Sequence, residues 1–199
     1  MKNKSYFLAL CLIAGACSVK ERSTEQTVQV NSLNSPAETN SAEPFLFSDK
    51  DGNAYLSWIE KAEDQSIFKF SKLTNGQWSG PVTIASGNTW FVNWADYPMI
   101  AANGKQFVAH FLDKSGESTY AYDVKLTASD NNGTTWNDPV TLHDDKKQAE
   151  HGFVTLLPYG DNFFVTWLDG RNTVMEGMEN MDHHGGHHGA MSLRAAIID

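Results

Sequence analysis

The titratable side chains of this 199-residue chain recur at one kind of place, beside aromatic residues and next to strand-like runs. Asp96 follows Trp90 and Trp94 and precedes the run Pro98–Ala102. Glu150 and His151 precede Phe153–Leu157, while Asp169 and Arg171 follow Trp167 at the end of Asn162–Leu168. Asp113 holds the equivalent place after Phe111. Carboxylates and an imidazole are the groups that transfer protons to and from a reacting bond, and a guanidinium pairs with an anion through two parallel hydrogen bonds. Brought together beside the tryptophans, Asp96, Glu150, His151, Asp169 and Arg171 would line a polar mouth suited to carbohydrate. A competing reading leaves Asp169–Arg171 as a local turn closed by an ion pair, with the tryptophans in the core.

A second chemical signal is a loop. His183, His184, His187 and His188 fall within six residues, and Met175, Met178 and Met181 precede them at intervals of three. Neutral imidazoles suit Cu(II), zinc and nickel, whereas thioethers select Cu(I). In composition the segment resembles the Met/His-rich stretches of exported copper-handling proteins, which implies copper or another divalent metal as a ligand. No cofactor is required by any other motif. The glycines around these histidines point to a loop, and the alternative is a polar surface insertion.

The elements that must position these groups are β-strands. Gly76-Gln77-Trp78-Ser79-Gly80-Pro81-Val82-Thr83 returns as Gly133-Thr134-Thr135-Trp136-Asn137-Asp138-Pro139-Val140-Thr141, so that Trp78 and Trp136 stand 58 residues apart. Gly52, Gly104 and Gly160, spaced by 52 and 56 residues, each precede a strand-like run. Periods of this length filled with short strands and turns are those of β-propeller blades. The expected fold is all-β: four-stranded antiparallel blades at about 44–86 and 96–145, and most of a third at 151–199. Propellers close with about four to eight blades, so the chain is expected to be the N-terminal part of a longer propeller.

The ends and the composition bound the setting. Lys2 and Lys4 followed by the apolar stretch Tyr6–Ala14 have the form of an export signal over residues 1–16. The apolar stretch is shorter than the roughly 20 residues of a membrane-spanning helix. Ala14-Gly15-Ala16-Cys17 resembles a bacterial lipobox, which implies lipidation of Cys17 and anchoring to the cell envelope, at the outer membrane or cell surface. Ordinary cleavage after Ala16 is the competing reading. Residues 17–42, nearly devoid of large apolar side chains, read as a tether, and residues 43–199 as the propeller segment. Losing residues 1–16 removes Lys2 and Lys4, which takes the net charge from −9 to −11. So acidic a surface disfavours nucleic acid and anionic lipid as partners, leaving the lipid as the membrane contact; it suits cations, neutral sugars or a basic protein.

Ser129-Asp130-Asn131-Asn132-Gly133-Thr134-Thr135-Trp136 resembles the Asp-box, or BNR, motif of sialidases, and Thr74-Asn75-Gly76-Gln77-Trp78 looks like a degenerate second copy. The resemblance implies a six-bladed sialidase-like propeller. In it Ser129, Asn131, Gly133 and Trp136 close the hairpin between third and fourth strands, the tryptophan packing inside its blade. The segment Trp90–Pro98, with Glu150–Phe153 and Trp167–Arg171, is similar to exported bacterial proteins described as sialidase-like. A sialidase clamps its substrate's carboxylate with three arginines, and it uses a tyrosine nucleophile with a Glu and an Asp. Arg22, Arg171 and Arg194 are the only arginines, and Arg22 lies in the tether, so the triad is incomplete. The leading expectation is therefore an envelope propeller that binds or processes glycan. The alternatives are a non-enzymatic interaction platform and a copper-binding envelope protein.

Overall fold

A computed structural model of the chain describes residues 27–174 and 189–199. Residues 27–32, the described part of the unit Met1–Ser32, carry no regular secondary structure. Among the described residues, the unit Leu33–Asp199 holds twelve strands in three antiparallel sheets and no helix.

In the first sheet β1 (Ser41–Ser48) pairs with β2 (Ala54–Ala62), and β2 with β3 (Gln65–Thr74). The outer position is shared by β4 (Gln77–Trp78) and β5 (Val82–Gly87), both paired with β3. The second sheet runs β6 (Met99–Asn103), β7 (Gln106–Lys114), β8 (Tyr122–Ser129) and β9 (Val140–Thr141) in order. The third runs β10 (His151–Tyr159), β11 (Asn162–Asp169) and β12 (Ser192–Ile198). These are blades of a partial β-propeller.

The fourth strands are shorter than the sequence pattern predicts. A strand is expected over 135–143, but only Val140–Thr141 pair with β8. Pro139 has no N–H to give a ladder, and Pro81 divides β4 from β5 in the same way.

The core lies between the sheets. Ile100, Ala102, Phe107 and Ala109 of the second blade pack with Tyr55, Ile59, Phe68, Phe70 and Ile84 of the first. Ala101, Val108 and Leu112, from the other face of the same strands, pack with Val154, Leu156, Phe163, Val165 and Trp167 of the third. With both faces buried, β6 and β7 read as near-continuous apolar runs instead of alternating ones. The alanines let neighbouring sheets approach.

The Asn131 turn joins β8 to β9. Ser129 Oγ accepts the Gly133 N–H at 3.0 Å, and Asn131 Oδ1 accepts the Thr135 N–H at 3.0 Å. Trp136 Nε1 donates to Gly133 O at 3.0 Å. The Trp136 ring meets Phe107 of its own blade and Phe70 of the first blade edge-on, at 6.3 and 6.2 Å. The tryptophan thus packs at the seam between two blades and not inside one.

The strands β1 and β10, which open the first and third blades, each carry a register shift near their start, at Ala42/Phe45 and Gly152/Thr155. In both, one residue sits at positive φ, Glu43 at 50° and Phe153 at 50°. A bulge leaves one residue of a strand unpaired and re-aims its backbone. On β10 that freed group faces the candidate site.

Candidate functional site

Two adjoining polar groups lie where β6 and β10 begin and β11 ends. The first is built around Asp96, which is 4% exposed. An Asx turn, with Ala95 N–H donating to Asn93 Oδ1 at 2.8 Å, directs Asp96 toward the third blade. There Asp96 Oδ1 accepts the bulged Phe153 N–H at 2.8 Å, and Oδ2 lies 3.5 Å from the Tyr122 hydroxyl. That hydroxyl donates to Glu150 Oε1 at 3.0 Å. Tyr122 is held flat against Phe91, with ring centroids 4.2 Å apart. Gly152 is what allows the approach, since a Cβ there would fall 2.0 Å from Asp96 Oδ2.

Burial pushes the Asp96 carboxyl up to about 6; the Phe153 and Tyr122 bonds oppose the shift and the neighbouring Glu150 charge adds to it. Burial, with the charges of Glu150 and Asp96, drives the Tyr122 phenol far above its ordinary value. Asp96 is therefore a carboxylic acid able to hold and release a proton near neutral pH, bridged by the Tyr122 phenol to the Glu150 side chain. Trp90 stacks on Phe111 at 4.2 Å and packs against the core shared by the first and second blades, and Trp94 is 82% exposed.

The second group starts one residue later, at the wholly buried His151. Gly170 N–H donates to Glu150 O at 2.8 Å and sets the 169–171 turn against this strand. Asp169, also wholly buried, accepts Arg171 Nε at 2.8 Å and Nη2 at 2.9 Å, the Arg171 N–H at 3.1 Å and Trp167 Nε1 at 3.2 Å. Arg194 Nε adds a contact at 3.2 Å. Burial alone would raise the Asp169 carboxyl, but the bonds from Arg171 and Trp167, with the nearby His151, outweigh it and hold it at about 2. Asp169 is thus a fixed anion and not a proton donor. Arg171 also meets Asp144 at 3.1 Å and Asp145 at 3.6 Å, so its guanidinium is occupied by carboxylates of the protein itself.

His143, Asp145 and Asp123, which the sequence reading passed over, complete this group. The His143 and His151 rings lie face to face, 3.6 Å apart and 7° from parallel. Asp145 spans them, 2.6 Å from His143 Nδ1 and 3.2 Å from His151 Nε2. Burial and the adjacent His151 lower the His143 pKa despite Asp145 and Asp123. A signal for His143 exists in the repeat: Leu142-His143-Asp144 stands where the first copy has Ile84-Ala85-Ser86.

Of the residues singled out from sequence, Asp96 and Glu150 share the first group and His151, Asp169 and Arg171 the second. Of the tryptophans, Trp167 is buried, Trp90 half-buried and Trp94 exposed. Ser129, Asn131, Gly133 and Trp136 form the turn described above. Cys17 and Met175, Met178, Met181, His183, His184, His187 and His188 lie outside the described residues.

No family model and no curated protein matches the chain. Solved structures do. An α-L-arabinanase from Penicillium chrysogenum, solved with arabinobiose, superposes with TM-score 0.51 and 14% identity over 78% of this chain and 45% of the arabinanase. An endo-arabinase from Bacteroides thetaiotaomicron gives TM-score 0.45 and 14% identity over 79% of this chain and 55% of that one. An α-L-arabinofuranosidase from Clostridium thermocellum gives 0.40 and 19% over 62% and 40%. The chain spans about half the length of the structures it matches. The arabinanase superposition agrees with the propeller blades; the resemblance to sialidases finds no counterpart among these matches.

Proposed function

We propose that the chain contributes blades to a propeller that binds a neutral glycan at its mouth and cleaves a glycosidic bond there. One observation carries this reading: a buried carboxyl, Asp96, held near 6 and linked through Tyr122 to Glu150 where two neighbouring blades begin. Glycoside hydrolysis commonly uses a pair of carboxyl groups, one of them a protonated acid, and burial raises Asp96 toward that role. The superposable arabinanase was solved with a sugar, which supports carbohydrate as the ligand class. A neutral sugar is favoured over a sialoside because Arg171 and Arg194, the arginines among the described residues, both contact Asp169.

The test pairs binding with turnover on a panel of neutral and sialylated oligosaccharides. Asp96→Asn keeps the shape and removes the acid, so it should abolish product formation while a neutral oligosaccharide still binds. Equal turnover by parent and variant would refute the catalytic reading. Binding without turnover by the parent itself would make the propeller an interaction platform.

Export and lipid anchoring through Cys17 fit this role, as does the net charge. They are tested by whether labelled fatty acid follows the parent and not Cys17→Ala. Copper binding by His183, His184, His187 and His188 with Met175, Met178 and Met181 is a separate proposal, carried by composition alone. Copper binding that survives replacement of the four histidines by alanine would end it.

A further inference from the structure

We propose that Trp94 and Phe153 form a stacking platform for a neutral sugar ring at the Asp96 site, covering the ring's apolar face while the polar groups meet its oxygens. The inference rests on the glycan reading and adds to it the side chains that hold the ring.

The argument begins with Phe153. Its backbone has φ of 50°, a left-handed conformation in which a bulky side chain is strained. The other non-glycine residues at positive φ among the described residues are Glu43, Glu63, Asn75, Asn132 and Lys146, every one polar or charged. Glu43 takes the same φ in the bulge that opens the first blade, so the bulge itself does not call for an aromatic ring. What the bulge supplies is the N–H that Asp96 Oδ1 accepts at 2.8 Å, and any residue but proline has one. The Phe153 side chain is 46% exposed, so the core does not call for a phenylalanine either. Strain kept at a partly open aromatic residue beside a buried acid is the kind found at ligand clamps.

A second aromatic residue is tied to the same carboxyl. Trp94 and Asp96 share the turn that Asp96 N–H closes by donating to Asn93 O at 3.3 Å. The turn stands on a fixed support, since Phe91 N–H donates to Leu112 O at 3.0 Å and the Phe91 ring stacks on Tyr122. Trp94, mostly open to water, forgoes one of the largest apolar burials a side chain can make. One exposed aromatic ring is ordinary on a protein surface. Two held by the backbone around one buried carboxyl have the composition of a ligand site, apolar rings with a few fixed polar groups.

A sugar ring carries C–H groups on its faces and hydroxyls around its edge. The electron-rich face of an aromatic ring attracts the C–H groups, and Asp96, Tyr122 and Glu150 are left for the oxygens. The same ring faces beside carboxyl groups also attract organic cations, so choline is the rival ligand to exclude.

The test is isothermal titration calorimetry of the full chain with arabinotriose, xylotriose and cellotriose, with sorbitol as an acyclic polyol and choline as an organic cation. The parent should bind at least one trisaccharide, and bind it more tightly than sorbitol or choline. Trp94→Ala should weaken that binding about 10-fold, and Trp94→Phe should recover most of it. Phe153→Leu keeps an apolar side chain and the N–H for Asp96, so its urea midpoint should stay close to the parent's while sugar binding falls about 10-fold. Phe153→Tyr keeps the ring and should bind as the parent does. Parent-like affinity in Trp94→Ala, or in a folded Phe153→Leu, would overturn the platform and leave the glycan reading standing. If Phe153→Leu fails to fold, Trp94→Ala, at an open position, decides alone. A parent that binds none of the trisaccharides, or binds choline or sorbitol as tightly, would overturn the platform and the glycan reading together.

Discussion

Replacing Gly152 by alanine places a methyl group where Asp96 now sits. The added Cβ would lie 2.0 Å from Asp96 Oδ2 and 3.0 Å from both Asp96 Cγ and Tyr122 Cε2. The last two separations can be absorbed by shifts of a few tenths of an ångström, but the first cannot, so the carboxylate must leave. Doing so breaks its 2.8 Å bond from the Phe153 N–H and its contact with the Tyr122 hydroxyl. A hydrogen bond to a charged group contributes about 1.5–3 kcal/mol. Overpacking a filled site adds about 1–3 kcal/mol. The expected destabilisation is therefore about 2.5–6 kcal/mol, read as a lower urea midpoint at unchanged slope. A double-mutant cycle isolates the cause. With Asp96→Ala the methyl group no longer meets a carboxylate, so the double variant should be more stable than the sum of the singles by about 1–3 kcal/mol. Additivity within about 0.5 kcal/mol, or a Gly152→Ala protein as stable as the parent, would refute the claim that this glycine exists to admit Asp96.

Two further outcomes follow from the same neighbourhood. Because the folded Asp96 carboxyl is raised from 3.8 to about 6, its contribution to stability is complete below about pH 4 and is lost as pH rises through 6. Asp96→Asn should flatten that part of the stability–pH curve, measured by urea titration at each pH, removing a change on the order of 2–3 kcal/mol; an unchanged slope would show that the group is not buried as an acid. Arg171→Ala leaves the wholly buried Asp169 short of two charge-assisted bonds and should cost about 3–5 kcal/mol in chemical denaturation, with Arg171→Lys recovering little because an ammonium lacks the planar fork. A mild effect of Arg171→Ala would mean that Arg194 and Trp167 suffice to hold the anion.

The sequence by itself determined the strands and their grouping into blades. Period-two burial, turn glycines and the repeated Trp-x-x-Pro-Val-Thr are local signals, written by backbone sterics and by which face each side chain must hide. It also located Asp96, Glu150, His151, Asp169 and Arg171 at strand ends, because such positions are visible from the flanking apolar runs. Tertiary structure alone decided what these residues meet. Tyr122 reads as an ordinary strand aromatic, yet packing of the second blade on the third sets its hydroxyl between two carboxyls. His143 and His151 are separated by a loop, and no periodicity announces that their rings stack or that Asp123 on β8 faces one of them. The ion-paired Asp169–Arg171 turn stood among the readings of the sequence, but the assignment of Asp96 as the acid was hidden, since both are aspartates beside tryptophans. Burial with few donors raises Asp96, in a pocket made by segments distant in sequence, whereas Arg171 and Trp167, each two residues away, supply the donors that depress Asp169.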